Sequence, residues 1–297
     1  MWGWKRKVLL ALGLLLLFIT PASGPPLPPL QRLVSPHGFS LVAWEAANFP
    51  SKWAYKAKEL LSLRRPSLEE RRAHILRYFA LGEGVRRVEA ETKRLAALRG
   101  PSHNPENPEG LEAKRWDLTR QRDALAAAVE EALEGEVSAV LGEEGLVREW
   151  GPLRLLWPPV DFRLAQPPKV FVVSPRDRIS LRESFLLRGD LPLSEAERLE
   201  EGALRGLNLS ALVEELGGVA TYPAFVSNTH GLRTVLTMAV HEWLHHYLFF
   251  FPLGRNIFSS PEMHTLNETL ADMASEELGD QVYLRLGGSI PPPAPKE

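Results

Sequence analysis

The chain has 297 residues and contains no cysteine. Without thiols it forms no disulfide, no thiolate metal site and no cysteine nucleophile, so histidines and carboxylates remain as its metal ligands. It also has no basic excess, since 35 Lys and Arg stand against 37 Asp and Glu for a formal net charge of −2. The composition therefore gives no reason to expect a nucleic-acid partner.

Long apolar runs are scarce, and the exception lies near the N-terminus. Val8–Ile19 carries no polar side chain, follows the basic residues Lys5-Arg6-Lys7 and precedes small residues and prolines. This order predicts a signal peptide or an N-terminal membrane anchor over residues 1–24, although the run is shorter than the roughly 20 residues of a full span. Both interpretations predict an extracytoplasmic protein, either secreted or attached to the membrane through this segment.

Residues 25–35 read as a proline-rich linker, and residues 36–150 as a helical region. Apolar residues at helical spacing cover 39–49 and 51–63, with a break expected at Pro50. Ser67-Leu-Glu-Glu70 is a capping box that opens a helix towards Leu98, and a third helix is expected from about Glu109 to Leu133. These helices either form a separate bundle or pack as the upstream part of the following domain. Their many Arg and Glu residues predict solvated faces.

Residues 151–288 mix strand and helix signals, which predicts an α+β domain before a proline-rich tail at 289–297. Short β-type runs are expected at 153–156, 160–164, 169–174 and 179–187. A second capping box at Ser194–Glu197 and a short helix at Ser210–Leu216 are expected to follow. Val219–Val226 reads as a strand at a sheet edge, because Pro223 has no N–H to donate.

The strongest motif is His241-Glu242-Trp243-Leu244-His245. Four residues of helix advance by about 400°, so both imidazoles lie on one face and can share a metal ion. The helix around them, expected at 231–251, is apolar almost all round, and buried polar groups need partners. Glu242 stands beside the pair, where a carboxylate can take a proton from a metal-activated water.

A second helix supplies the matching carboxylates. Glu268 lies 23 residues beyond His245 and can complete a His₂Glu ligand set, which leaves one coordination position for water. Asp272 shares its helix face, where it can accept a hydrogen bond from a ligand imidazole and so fix the tautomer.

Together, His241-Glu242-x-x-His245 and Asn267-Glu268-Thr-Leu-Ala-Asp272 resemble the gluzincins, the thermolysin-like zinc metallopeptidases. The resemblance implies a zincin-like domain over 151–288 that holds one Zn²⁺ through His241, His245 and Glu268. It implies that Glu242 is the general base, that Asp272 supports a ligand, and that a peptide or protein substrate aligns along the strand at 219–226.

Gluzincins also supply a Tyr or His that stabilises the oxyanion of the reaction. Tyr222, His230, His246 and His264 are candidates, and no motif singles one of them out. An alternative function belongs to another class. The chain would then be an envelope binding or scaffolding protein that keeps a zincin fold with weak or no activity, and its helical region would be the functional part.

Overall fold

The computed structural model describes residues 27–61, 66–99, 108–150 and 153–290. These residues form a mixed structure of helices and small sheets, which confirms the expected α+β class at that level. The predicted N-terminal targeting segment and nearly all of the proline-rich tail lie outside the described residues. Within the described ranges, no helix is long and apolar enough to cross a membrane.

The helices are α1 (Pro29–Val34), α2 (Leu41–Leu61), α3 (Leu68–Arg99), α4 (Pro108–Asp123), α5 (Ala126–Glu143), α6 (Leu193–Glu201), α7 (Leu232–Leu248), α8 (Pro252–Arg255) and α9 (Pro261–Arg285). The strands are β1 (Val147–Trp150), β2 (Leu153–Leu156), β3 (Phe162–Ala165), β4 (Lys169–Pro175), β5 (Glu183–Leu187), β6 (Leu209–Glu215), β7 (Gly218–Val219) and β8 (Ala224–Ser227). Strands β1 and β2 form an antiparallel hairpin, and the others form sheets in the orders β3-β8-β7 and β5-β4-β6.

The chain divides into two compact units, and neither of them begins or ends at the predicted boundary near residue 150. The first unit comprises the described residues up to 38, with 171–187 and 191–213. The second comprises 39–170, 188–190 and the described residues from 214 onwards. The helices α2 to α5 therefore belong to the same unit as α7, which carries the histidine motif. The sequence left open whether the helical region forms a separate bundle or packs with the following domain. In the structure it packs in the unit that contains α7.

The core of the first unit corrects the prediction of a linker at 25–35. Leu30 and Val34 lie four residues apart on one face of α1, where they are 6% and 4% exposed. They pack with Phe171 and Val173 of β4, the central strand of its sheet. Pro29 suits the first turn of a helix, because an N–H there has no intrahelical partner.

In the second unit, the predicted edge strand 219–226 is two strands. β8 is the middle strand, parallel to β3 and antiparallel to the short edge strand β7. Pro223 lies in the interruption between β7 and β8, where its missing N–H breaks no ladder. The edge position therefore belongs to β7, at Gly218–Val219, and not to the whole predicted strand.

Three other local predictions were wrong for identifiable reasons. α2 continues through Pro50, because Trp44 packs against Phe225 before the proline and Lys52 bonds to Glu130 after it. Residues 209–215 form β6 rather than a helix, since Leu209, Ala211 and Val213 alternate towards the core of the first unit. α6 begins one residue before Ser194, with Pro192 at its cap and no side-chain cap bond. By contrast, the capping box at Ser67–Glu70 is confirmed, with reciprocal bonds of 2.8 and 3.1 Å.

A buried group of charges joins α2, α5 and β3. Glu134 and Glu130 of α5 accept hydrogen bonds at 2.9 Å from the backbone N–H groups of Phe162 and Leu164 on the outer edge of β3. The Lys52 ammonium of α2, only 1% exposed, lies 2.8 Å from Glu134 and 3.0 Å from Glu130. Two carboxylates thus complete the bonding of an edge strand. Lys52 lies between them, and Lys56, 2.8 Å from Glu134, supplies the second positive charge.

Replacing Lys52 with methionine is expected to destabilise the fold by about 3–5 kcal/mol, because the buried Glu130 loses its closest cation while Glu134 keeps only Lys56. Chemical denaturation at neutral pH measures this change. Lys93→Met, at an exposed position of α3, is the matched control and should change stability by less than about 0.5 kcal/mol. Equal effects of the two substitutions would contradict the role given to Lys52.

Asp161 makes stability depend on pH. Burial, followed by the charge of Glu134, raises the pKa of Asp161 from 3.8 to about 6. The folded protein therefore holds this proton more tightly than the unfolded chain does. The stability that this contributes is present below pH 3.8 and is lost as the pH rises through about 6.

Asp161→Asn cannot ionise, so this variant should be more stable than the wild type at pH 7, by up to about 3 kcal/mol. The difference should shrink as the pH falls towards 4. Urea denaturation at several pH values measures it, with Asp177→Asn in an exposed turn as the control. A wild-type and variant difference that does not change with pH would rule out this titration.

Candidate metal centre

The orientation of α7 places its histidines on the wall of a cavity. Its other face is buried, with Leu236, Ala239 and Val240 in the core. The Trp243 indole is buried and donates a hydrogen bond to the Pro158 carbonyl at 2.8 Å, which fixes the rotation of the helix. α9 packs closely against α7, since a β-carbon on Gly279 would lie 2.8 Å from the Thr237 Cα.

Three donor atoms from these two helices converge. His241 Nε2 and His245 Nε2 lie 3.0 Å apart, and Glu268 Oε2 lies 3.5 Å from the first and 3.6 Å from the second. The structure therefore brings the three predicted ligands together. Among the described residues, they are the group of histidines and carboxylates whose atoms could hold a metal ion.

The partners of the other ring nitrogens determine the tautomers of both histidines. His241 Nδ1 lies 3.0 Å from Asp272 Oδ1, and His245 Nδ1 lies 2.9 Å from Asn267 Oδ1. A carboxylate oxygen and an amide oxygen only accept hydrogen bonds, so each Nδ1 is the donor and carries the proton. In a neutral imidazole, Nε2 then presents a lone pair. Two such lone pairs and a carboxylate oxygen face one another, an arrangement that a cation stabilises.

Asn267 is a site residue whose role sequence reasoning missed. It is 1% exposed on the buried face of α9, and its amide oxygen orients His245 as Asp272 orients His241. In the sequence, the feature that could have indicated this role is the position of Asn267 directly before Glu268. Its role depends on the crossing of α7 and α9, which local sequence does not specify.

Glu242 lies in the same cavity, and Gly218 of β7 covers it. Glu242 is 7% exposed, and a β-carbon on Gly218 would overlap its carboxylate. Burial, followed by the negative charge of Glu268, raises the pKa of Glu242 to about 8. The edge strand thus approaches the carboxylate closely because residue 218 has no side chain.

The cavity has a volume of about 910 Å³, which lies within the range of pockets that bind drug-sized ligands. The lining includes Gly217 and Gly218 at β7 and apolar side chains such as Phe249, Ile257 and Phe258. Histidines and carboxylates of α7 and α9 also line it, and none of the described lining residues is a Lys or Arg. The cavity therefore combines apolar walls with a small set of convergent polar groups.

The four candidates for stabilising the oxyanion do not all line the same cavity. Tyr222, His246 and His264 line the cavity, whereas His230 lines a smaller neighbouring one. The Tyr222 hydroxyl donates to the Pro159 carbonyl at 3.4 Å, and His264 Nε2 lies 3.7 Å from Glu268 Oε1. His246 Nε2 is buried without a hydrogen-bond partner among the described residues. Tyr222, His246 and His264 thus remain candidates by position, and His230 does not.

Comparison with known proteins gives no match to a family model, to a curated protein or to a solved structure. The chemistry of the centre is therefore inferred from its own atoms.

Asn267→Ala removes the acceptor that fixes the His245 tautomer. We expect a 10–100-fold loss of Zn²⁺ affinity with the fold retained, as is usual when the partner of a ligand histidine is removed. Competition with a chromogenic chelator measures the affinity. Thr269→Ala, at an exposed position of the same helix, is the control. If both variants bind Zn²⁺ as the wild type does, Asn267 does not orient a ligand.

Proposed function

We propose that this protein is a zinc-dependent metallopeptidase whose zinc ligands are His241, His245 and Glu268. The observation that carries the proposal is the convergence of the Nε2 atoms of both histidines with a carboxylate oxygen of Glu268, while the two Nδ1 atoms face Asp272 and Asn267. Two imidazoles and one carboxylate are one of the ligand sets of catalytic zinc sites, which keep a fourth position for water. We infer from this that the second unit contains a zincin-like catalytic domain of the gluzincin type.

A zinc ion in this centre would polarise the substrate carbonyl and lower the pKa of a coordinated water. Glu242 would accept the proton of the attacking water and return it to the leaving amine, as a general base that becomes a general acid. Its place beneath Gly218 puts this carboxylate next to the edge of β7. An extended peptide pairing with that edge would run past both Glu242 and the three ligands.

The edge of β7 and the size of the cavity favour a peptide or protein as substrate. Hydrogen bonds from a strand edge fit an extended backbone and do not depend on the side-chain sequence. The sequence of residues 1–24 favours hydrolysis outside the cytoplasm, by a protein that is either secreted or attached to the membrane through that segment.

Glu242→Gln should abolish peptide cleavage while one Zn²⁺ remains bound, because the base is lost and the ligands are not. Glu268→Ala should instead lower the zinc content, since it removes a ligand. Elemental analysis and a fluorogenic peptide library provide the two measurements. Glu276→Gln, an exposed carboxylate that lines the same cavity, is the control and should leave zinc content unchanged and most cleavage intact.

Two results would contradict the proposal in different ways. A wild-type protein that holds one zinc but shows no Glu242-dependent cleavage across the library would favour an envelope binding protein with a zincin fold. Unchanged zinc content in Glu268→Ala would remove Glu268 from the ligand set.

A further inference from the structure

A second pocket lies where the first turns of α3 meet α5 and the end of α9. Its volume is about 230 Å³, below the roughly 300–1,000 Å³ of pockets for drug-sized ligands. Its polar lining consists of Arg71, Arg72, Arg285 and Glu136, over an apolar floor that includes Ile75. Three guanidinium groups thus face one carboxylate in a space suited to a small group.

The charges in this pocket do not balance. The Arg285 guanidinium is already paired, with Nε 3.0 Å from Glu136 and Nη1 2.8 Å from Glu143. Arg71 and Arg72 form no ion pair with any carboxylate of the described residues. The pocket is left with two positive charges that have no partner in the described part of the chain.

Arg71 also has an unsatisfied donor. Its Nε atom is shielded from solvent and has no hydrogen-bond partner among the described residues. A buried donor without an acceptor costs about 1–3 kcal/mol, more when the group is charged. An oxygen supplied by a ligand would satisfy this atom.

Helix geometry explains why the acidic residues of α3 do not neutralise the pocket. Residues 68, 71, 72 and 75 share one face, because they are spaced by three and four positions. Glu69 and Glu70 project elsewhere and do not line the pocket, and Glu70 is engaged in the capping box. The Arg and Glu residues of this turn were expected simply to form solvated faces. They are divided instead, with Arg71 and Arg72 lining the pocket and Glu69 and Glu70 outside it.

We propose that this pocket binds a phosphate group. Forked guanidiniums match phosphate oxygens in geometry and charge, and two of them suit a group with up to two negative charges. Leu68 lines the same pocket and is 66% exposed, so an apolar surface adjoins the phosphate position. The phosphate can belong to a lipid headgroup or be free in solution, and the two sources share this chemistry.

The pocket is separate from the candidate metal centre. Arg285 lies 17 residues beyond Glu268 on the same helix, which corresponds to about 26 Å at 1.5 Å per residue. Phosphate binding in the pocket is therefore independent of the proposed zinc ligands, and the inference does not rest on the proposed peptidase activity.

Calorimetric titration of the full-length protein with inorganic phosphate, at constant ionic strength, tests the proposal. Arg71→Gln/Arg72→Gln should weaken binding tenfold or more, because it removes two charge-assisted contacts. Arg87→Gln, at an exposed position of the same helix, is the matched control and should bind as the wild type does. Arg71→Lys keeps the charge but not the fork, and should bind with intermediate affinity.

Because phosphate could also bind a metal at the candidate centre, Glu268→Ala serves as a second background. Arginine-dependent binding that persists in Glu268→Ala supports the pocket. Binding that Glu268→Ala abolishes and the arginine substitutions leave unchanged overturns it.

A parallel titration with dihexanoyl phosphatidylglycerol distinguishes the two sources. This lipid is soluble, so the predicted apolar segment at residues 8–19 does not confuse the measurement as it would with vesicles. Arginine-dependent binding of the lipid at lower concentrations than inorganic phosphate identifies a headgroup site, and the reverse order identifies a free-phosphate site. If neither ligand binds in an arginine-dependent way, the proposal is wrong.

Discussion

The second unit depends on how the outer edge of β3 obtains its hydrogen bonds. Its inner edge pairs with β8, but the N–H groups of Phe162 and Leu164 point the other way. Glu130 and Glu134 of α5 accept these bonds, and Lys52 and Lys56 of α2 compensate their charges. Because a buried carboxylate is unfavourable without a cation, the packing of α2 against α5 stabilises this edge of the sheet. The sheet has the order β3-β8-β7, with β7 as its other edge at the cavity.

That edge strand and the two helices beside it explain the form of the candidate metal centre. β8 leads directly into α7, so the sheet and the histidine pair are joined by a short connection. The approach of Gly279 to Thr237 lets α9 come close enough for Glu268 to reach both imidazoles. Asp272 and Asn267 then hold the Nδ1 protons. The short β8–α7 connection, the close packing of α9 on α7 and the partners of the two Nδ1 atoms together bring the three ligand atoms of the candidate centre close to one another.

Charge is distributed unevenly over this unit. Carboxylates and histidines without any described Lys or Arg line the large cavity, whereas arginines without enough carboxylates line the small pocket at the far end of α9. A metal cation would compensate the first and an anion the second. The two sites share a helix but not their ligands, so each can be tested while the other is left intact.

Short sequence patterns alone predicted several helices of this protein and most residues of its candidate metal centre. The spacing of His241 and His245 placed both on one helical face, the Ser67–Glu70 box marked the start of α3, and Glu268 with Asp272 marked a second helix. Each of these depends on residues within one or two turns of one another. The failures were local patterns that tertiary contacts overrode, as at Pro50, Ser210–Leu216 and the strand divided at Pro223.

The tertiary structure alone decided which distant residues meet. It brought Lys52 to Glu130 across 78 positions, gave Asn267 its place at His245, and placed Arg71 and Arg72 at a pocket that three helices form. It also joined the helical region to the unit of α7 rather than leaving it separate. The physical reason is that sequence periodicity specifies which face of an element is buried, whereas the packing of those faces specifies what each side chain touches.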